Sequence, residues 1–197
     1  MIQTLNTLRE HIEKSISVKQ LILKDPQLLT QIFEICNLCV NTFQSGGKVI
    51  LAGNGGSAAD AQHIAAEFVS RFRIDRQGLP SLSLSTDTSM LTAIGNDYGY
   101  DRLFARQLEA NGRDGDLFIG ISTSGTSKNV IEAMKICPSL SIKTVAFTGC
   151  YGGDLKALAE HCLCVPSLET ALIQEAHIMI GHMLCGFVED SLFGEVH

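Results

Sequence analysis

The chain has 197 residues, 45% of them apolar, which predicts one domain spanning residues 1–197 with a substantial core. Its formal net charge of −6 gives no electrostatic reason to expect nucleic acid or an acidic membrane surface as a partner. The chain begins without the apolar core of a signal peptide, has no apolar run of roughly 20 residues, and scatters seven cysteines through apolar segments, so we expect a cytoplasmic protein with reduced thiols.

Residues 1–46 are predicted to form a helical arm ahead of an α/β core over residues 47–197. Leu5, Leu8 and Ile12 begin one amphipathic helix, and Asp25-Pro26 starts a second. Two long helices ahead of the first strand cannot both be crossover helices. We therefore favour packing of these helices against another subunit over simple cover of the sheet edge.

Residues 48–67 carry the strongest local pattern in the sequence. Val49–Ala52 is a short apolar run typical of a strand buried on both faces. Gly53, Gly55 and Gly56 then predict a turn, and Ser57 is expected to cap an alanine-rich helix. A glycine turn that enters a helix N-terminus offers free backbone N–H groups to an anion.

The rest of the chain alternates strands and helices. We predict strands over 81–85, 116–122, 143–148 and 162–165, helices over 88–93, 100–110, 129–137, 154–160 and 170–193, and a loop over 95–99. Five strands separated by helices predict a three-layer α/β sandwich with a five-stranded, parallel, flavodoxin-like sheet, preceded by the two N-terminal helices.

A second anion site is predicted where the third strand ends. Residues 122–127 read Ser-Thr-Ser-Gly-Thr-Ser and lead into a helix. Ligands of open α/β sheets bind at the carboxyl ends of the strands. Five hydroxyls exceed what helix capping needs, so we favour a phosphate monoester held by hydrogen bonds over an ordinary turn.

Four further residues have side chains suited to a metal or to proton transfer. His63 and Glu67 are spaced i, i+4 on one helix face that is otherwise largely apolar. The last helix offers Gln174 and His182, which lie eight residues and about 12 Å of helix rise apart. Both can reach one ion only if Gln174 lies at a frayed helix start or if one of them arrives from a neighbouring subunit.

Two nucleotide-binding hypotheses fit poorly. Gly53-x-Gly55-x-x-Ala58 matches the dinucleotide fingerprint formally, but Asp87, the candidate ribose ligand, lies nearer 30 than 20 residues downstream. The phosphate-loop pattern G-x-x-x-x-G-K-[ST] is absent from the sequence.

Taken together, these motifs resemble the phosphoheptose isomerase family of the sugar isomerase (SIS) domain superfamily. The resemblance spans nearly the whole chain and rests on Asn54-Gly55-Gly56-Ser57, His63-x-x-x-Glu67, Gly95-Asn96-Asp97, the 120–125 segment, and Gln174-Glu175-x-His177-x-x-x-x-His182.

The resemblance implies a homotetramer with active sites at subunit interfaces, acting on the sugar phosphate sedoheptulose 7-phosphate to give D-glycero-D-manno-heptose 7-phosphate. It implies one zinc ion per subunit on His63, Glu67, Gln174 and His182, with Glu67 and His182 as the catalytic acid/base pair. Substrate contacts are implied at Asn54, Gly55, Gly56, Ser57, Asn96, Asp97, Ser122, Thr123, Ser124, Ser127 and Gln174. Some members have an aspartate three residues before the glutamine, where this chain has Ala171.

A second hypothesis comes from another class of protein. A non-enzymatic SIS-domain tetramer that binds the bacterial replication initiator protein is also similar, including the Leu91-Thr92-Ala93-Ile94 stretch. That relative lacks counterparts of Glu67 and His182, and both residues are present here. We therefore favour the enzyme.

Overall fold

The computed structural model describes residues 5–194. Within that range the chain forms eight α-helices and five β-strands, with short 3₁₀ turns at Tyr100–Arg102 and Cys137–Leu140. In chain order the elements are α1 Leu5–Lys24, α2 Pro26–Gln44, β1 Val49–Gly53, α3 Gly56–Val69, β2 Ser81–Ser83, α4 Thr88–Tyr98, α5 Leu103–Asn111, β3 Leu117–Ile121, α6 Lys128–Ile136, β4 Lys143–Thr148, α7 Leu155–Leu158, β5 His161–Cys164 and α8 Thr170–Phe193.

All strand pairs in the single sheet are parallel, in the order β2-β1-β3-β4-β5. β1 and β3 are fully buried, as expected for parallel strands that helices cover on both faces. This order is that of the flavodoxin-like doubly wound fold. The predicted three-layer α/β sandwich with a five-stranded parallel sheet and two preceding helices is confirmed.

Two hydrophobic cores lie on opposite faces of the sheet. One core joins α1, α2, α3 and α8 to the sheet, and the other joins α4, α5, α6 and α7 to it. The helix after β1 therefore packs on one face, and the helix after β3 packs on the other. The connections diverge between these two neighbouring strands, which is where open α/β sheets form a ligand crevice.

Three predicted boundaries were wrong. Residues 95–98 continue α4, because Asp87 caps that helix by accepting the Met90 N–H at 2.8 Å and burial of Ile94 offsets the roughly 1 kcal/mol cost of one helical glycine. The predicted helix over 154–160 is only the single turn Leu155–Leu158, because the Glu160 N–H donates to Thr144 Oγ1 at 3.0 Å and draws the chain into β5.

The third wrong boundary is the start of α3. Gly55, not Ser57, is the N-cap, with φ 56° and ψ −122°. These angles lie in a region that favours glycine, so the entry into α3 depends on Gly55 and not on a serine cap. Ser57 lies in the first turn of the helix and is buried.

The helices α1 and α2 differ in how deeply they pack. α2 contributes fully buried side chains such as Ile35 and Cys39 to the core. α1 buries Val18 and Ile22 but leaves an apolar row exposed, including Leu5, Leu8 and Ile12. An exposed row of this kind on a helix marks a surface suited to a partner.

The closing helix α8 is long and apolar enough to cross a membrane by length and hydropathy alone, with a mean hydropathy of 1.3 in its most apolar window. Among the described helices it alone passes that test, and 56% of the window is buried inside the fold. Its packing against α2 and α3 is typical of the core helix of a globular domain.

Candidate functional site

Loops from the ends of β1 and β3 meet at the crevice and are tied together by a pair of asparagines. Asn54 Nδ2 donates to Asn129 Oδ1, and Asn129 Nδ2 donates to Asn54 Oδ1, both at 2.9 Å. Tyr100 Oη also donates to Asn54 Oδ1 at 2.9 Å. Because Asn129 is 2% exposed, this pair fixes the two loops relative to each other from inside the fold.

The 122–127 loop brings its hydroxyls together. Ser122 Oγ lies 2.8 Å from Ser127 Oγ and 3.4 Å from Ser124 Oγ, and Ser124 Oγ accepts from Thr126 Oγ1 at 2.9 Å. Ser127 is the N-cap of α6 without a side-chain cap bond, so its hydroxyl faces the cluster and not the helix backbone. Thr123 lines a neighbouring cavity of about 280 Å³. This set of donors and free N–H groups suits a phosphate.

The first turn of α3 lies under the side chain of Gln174. A Cβ on Gly56 would meet Gln174 Nε2 at 2.5 Å, so only glycine allows the amide to lie there. Beside this turn is a cavity of about 320 Å³, lined by residues that include Asn54, Gly55 and Tyr100. Its volume is in the range of small-molecule sites.

His63, Glu67 and His182 form a cluster where α3 passes α8. The Nε2 atoms of the two imidazoles lie 2.9 Å apart, and His63 Nε2 lies 3.4 Å from Glu67 Oε1. One donor atom from each of the three residues lies within 4.8 Å of the others. Two imidazole nitrogens and a carboxylate oxygen at these separations form a donor set that fits a zinc-type ion.

Packing from outside the cluster holds its members in place. Phe72 stacks on the ring of His182 with centroids 5.6 Å apart. The Phe72 N–H donates to Glu189 Oε1 at 2.9 Å, and Arg76 donates to the same oxygen at 3.1 Å. Arg76 also donates to the carbonyl of Glu67 at 2.9 Å, so a buried ion pair fixes both the ring over His182 and the end of α3.

The remaining predicted site residues lie outside the three-residue cluster. The Gln174 amide lies against Gly56. Gly56 is seven residues, or about 10 Å of helix rise, before His63 on α3. α8 is regular from Thr170, so a frayed start does not bring Gln174 closer. Asn96 and Asp97 are exposed on α4, where Asn96 donates to Asp97 Oδ1 at 2.8 Å.

Three polar residues in this region were not predicted from the sequence. Asn129 and Tyr100 are the hydrogen-bond partners of Asn54. The sequence signal for Asn129 was its position in the first turn of a helix, after a hydroxyl-rich loop. Asp60 lies one turn before His63, and its Oδ2 is buried with no hydrogen-bond partner among the described residues. Burial raises the pKa of Asp60 to about 6, while His63 opposes the shift. An unpaired carboxylate oxygen here is a candidate substrate ligand.

The chain is similar to known proteins over most of its length. The SIS domain family profile matches residues 17–149. The chain is 57% identical to the phosphoheptose isomerase of Aneurinibacillus thermoaerophilus over 186 residues, 94% of each chain.

Two solved structures are similar over nearly their whole length. The phosphoheptose isomerase of Neisseria gonorrhoeae superimposes with a TM-score of 0.88 at 41% identity, covering 94% of this chain and 98% of its own. That of Francisella tularensis gives a TM-score of 0.89 at 34% identity, covering 96% and 100%. The chain belongs to the phosphoheptose isomerase family of SIS-domain proteins.

Proposed function

We propose that this protein is an aldose–ketose isomerase that converts D-sedoheptulose 7-phosphate to D-glycero-D-manno-heptose 7-phosphate through an enediol. The observation that carries the proposal is the His63–Glu67–His182 cluster, in a fold that also presents a hydroxyl-lined loop suited to phosphate. The relatives' name identifies the substrate class. The whole described chain would act as one SIS domain, because α1 and α2 share a core with the sheet.

The chemistry requires a proton to move between two neighbouring carbons. We assign Glu67 as the base that takes the carbon-bound proton, since a carboxylate can accept a proton from one carbon and deliver a proton to the next. We assign His182 to proton transfer at the substrate oxygens, because imidazoles exchange protons near neutral pH. The stacked ring of Phe72 would hold His182 in orientation during both steps.

Zinc is proposed as the resident metal. His63, Glu67 and His182 would hold it, and when bound it would polarise or orient the oxygens of the substrate. We propose that Gln174, the fourth expected ligand, comes from a second copy, because within one subunit its amide lies against Gly56.

The phosphate is assigned to the hydroxyl loop and the sugar to the first turn of α3. Two neutral loops that the Asn54–Asn129 pair holds together would bind the phosphate through hydrogen bonds, without a fixed positive charge in either loop. The proposed substrate-contacting set remains Asn54, Gly55, Gly56, Ser57, Asn96, Asp97, Ser122, Thr123, Ser124, Ser127 and Gln174, to which Asp60 is added.

A homotetramer with active sites at its interfaces is proposed from the exposed apolar surfaces. Leu8 and Ile12 on α1 are 63% and 59% exposed. A groove of about 690 Å³ along α8 runs past His182. It is lined mainly by apolar residues such as Phe72 and Met179, with Arg73, Glu175 and Asp190 among them. A second copy over this groove would close the site.

Assembly can be tested with charge substitutions on α1. Leu8→Glu with Ile12→Glu should reduce the mass measured by light scattering and abolish turnover, whereas Glu10→Lys on the opposite side of α1 should do neither. A double variant that remains a fully active tetramer would refute this assembly surface.

The proposed setting is the cytoplasm, where the product would enter synthesis of the heptose of bacterial lipopolysaccharide or capsule. The replication-initiator scaffold is not favoured, because the three-residue cluster is complete and the similar proteins are isomerases.

The decisive experiment follows sedoheptulose 7-phosphate by NMR in D₂O with the pure protein. We expect an aldose phosphate that gains deuterium at the carbon next to the carbonyl, because the enediol exchanges its proton with solvent. Glu67→Gln should give neither product nor deuterium. Failure of the wild-type protein, loaded with zinc, to form the aldose would refute the proposed reaction.

A further inference from the structure

A pair of thiols lies on the edge strand of the sheet, away from the metal cluster. Cys162 and Cys164 are two residues apart on β5, so their side chains share one face of the strand. Their Sγ atoms lie 3.8 Å apart, and Thr148 Oγ1 lies 3.5 Å from each. β5 has one strand neighbour, β4, so it can adjust locally without breaking a second ladder.

The two thiols are open to small reagents. Both are partly exposed, and both line a surface cavity of about 690 Å³ together with Lys156 and the first turns of α2. A Cβ on Gly152 would lie 3.2 Å from Cys164 Sγ and 2.7 Å from Lys156 Cβ, which places the lysine stem beside the sulfur. Cys36, Cys39, Cys137 and Cys185, by contrast, are buried.

We propose that Cys162 and Cys164 form a peroxide-sensitive dithiol, in which Cys164 is the attacking sulfur and Cys162 resolves it to a reversible disulfide. The roles follow from the contacts. Thr148 Oγ1 lies 3.5 Å from both sulfurs, but the Lys156 stem lies beside Cys164, and a lysine near a sulfur favours the thiolate. The Cys162 sulfur lies 3.8 Å from the Cys164 sulfur, so a small shift of either side chain would bring the two sulfurs to bonding distance.

The electronic environments of the two sulfurs support this order. A hydrogen bond from Cys162 lowers the pKa of the Cys164 thiol, with Thr148 and Lys156 acting in the same direction. Burial raises the pKa of the Cys137 and Cys185 thiols to about 12. The same hydrogen bond raises the pKa of the Cys162 thiol, so Cys164 is the better nucleophile of the pair at neutral pH.

The reaction balances with hydrogen peroxide as the oxidant. The Cys164 thiolate attacks one peroxide oxygen, so that an S–O bond forms, the O–O bond breaks and the departing hydroxide takes a proton to become water. Cys162 then attacks the sulfenic sulfur, the S–S bond forms, the S–O bond breaks and the second oxygen leaves with the Cys162 proton as water. Two thiols and one peroxide thus give one disulfide and two waters.

The resulting bridge would be easily reduced. Residues i and i+2 of an extended strand have Cα atoms about 6.6 Å apart, at the upper end of the usual range for a disulfide. A bridge formed under such constraint has an oxidising potential, which is typical of labile disulfides and not of structural ones. A small dithiol should therefore restore both thiols.

The test uses the full-length protein, reduced, desalted and exposed to hydrogen peroxide before alkylation and peptide mass spectrometry. We expect the peptide that contains both residues to lose two hydrogens and to escape alkylation, while the four buried cysteines alkylate after unfolding. Dithiothreitol should reverse the change. A bridge that links two chains, seen on a non-reducing gel, or a pair that alkylates fully after oxidation would overturn the proposal.

Variants separate the two roles. Cys162→Ser should leave a sulfenic acid on Cys164 that dimedone traps, and Cys164→Ser should slow oxidation of the remaining thiol at least about tenfold. Cys150→Ser, which removes the other partly exposed thiol, should leave formation of the bridge unchanged. Loss of the bridge in Cys150→Ser, or equal oxidation rates in Cys162→Ser and Cys164→Ser, would contradict the assignment.

Discussion

Two histidines on α8, five residues apart, have opposite environments. His177 is fully buried, and its Nε2 donates to the carbonyl of Thr148 at 3.1 Å. His182 is partly exposed, and its Nε2 lies 2.9 Å from a second imidazole nitrogen. Five residues turn a helix by about 140°, so the two rings face different surroundings.

The difference supports a structural role for His177 and the proposed functional role for His182. Burial lowers the pKa of His177 to about 4, against the effect of its bond to Thr148, so this ring is neutral and its place is in the core. His182 lies in a partly exposed cluster, in which its Nε2 contacts another side chain and not the backbone.

The largest effect is expected for Glu67→Gln, which keeps the shape of the side chain but removes the proposed base. Turnover of the heptulose phosphate should fall by at least about 100-fold, the lower range for loss of a general base. Glu132→Gln, which alters a surface carboxylate paired with Lys135 on α6, should leave turnover unchanged. More than a tenth of wild-type turnover in Glu67→Gln would remove Glu67 from this role.

His182→Ala is expected to lose both bound zinc and activity while the protein remains folded. Removal of one of three converging donors should weaken metal binding, and the proposed proton-transfer group is lost with it. Metal content by mass spectrometry, measured with turnover on the same sample, tests the link. Full activity in His182→Ala would mean that the functional face of α8 has been assigned wrongly.

His177→Ala should show the reverse pattern. We expect metal content and turnover at low temperature to stay within about threefold of wild type, whereas the free energy of unfolding falls by about 2–4 kcal/mol, because a buried cavity opens and the Thr148 carbonyl loses its partner. Thermal melts at one fixed protein concentration provide the measurement. If His177→Ala instead lost zinc and kept its stability, His177 and not His182 would be the metal ligand on α8.

The smallest effect concerns pH. The folded-state pKa of His177, about 4, is below the ordinary value of 6.5, so the unfolded chain binds the proton more readily. The stability that the neutral ring contributes is fully present above pH 6.5 and is lost as the pH falls from 6.5 to 4, by roughly 3 kcal/mol in total.

His177→Gln isolates this contribution, because every other titrating group is shared with the wild type. The difference in melting temperature between the two proteins should shrink or change sign as the pH falls from 7 to 4. A difference that stays constant over this interval would show that the ring titrates as it does in the unfolded chain.

The fold was largely predictable because its central strands are continuous apolar runs. A segment such as Leu117–Ile121 has no polar alternation, so it fits only a strand covered on both faces. Local residue preferences predict the wrong element where tertiary packing outweighs them. Gly95 and Asn96 favour a loop by themselves, yet they continue α4 because Ile94 is buried beside them.

The candidate site was predictable only in part. His63 and Glu67 lie on one helix, so their i, i+4 spacing indicates that they are neighbours. The meeting of His182 with His63 depends on how α8 crosses α3, and the pairing of Asn54 with Asn129 depends on the register of β1 and β3. The position of Gln174 also depends on tertiary packing, here against a helical glycine. Contacts of this kind are not encoded in local spacing.

The buried carboxylate of Glu189 has a consequence that amide hydrogen exchange can detect. It accepts the backbone N–H groups of Phe72, Arg73 and Ile74 at 2.7–3.0 Å, in a segment without regular secondary structure. Amides in such segments normally exchange within the fastest class, whereas these three can exchange only when the carboxylate releases them. The exchange rate of the Phe72 amide would therefore measure how often this irregular segment opens. Slow exchange would mean that the Phe72 ring rarely leaves its place over His182.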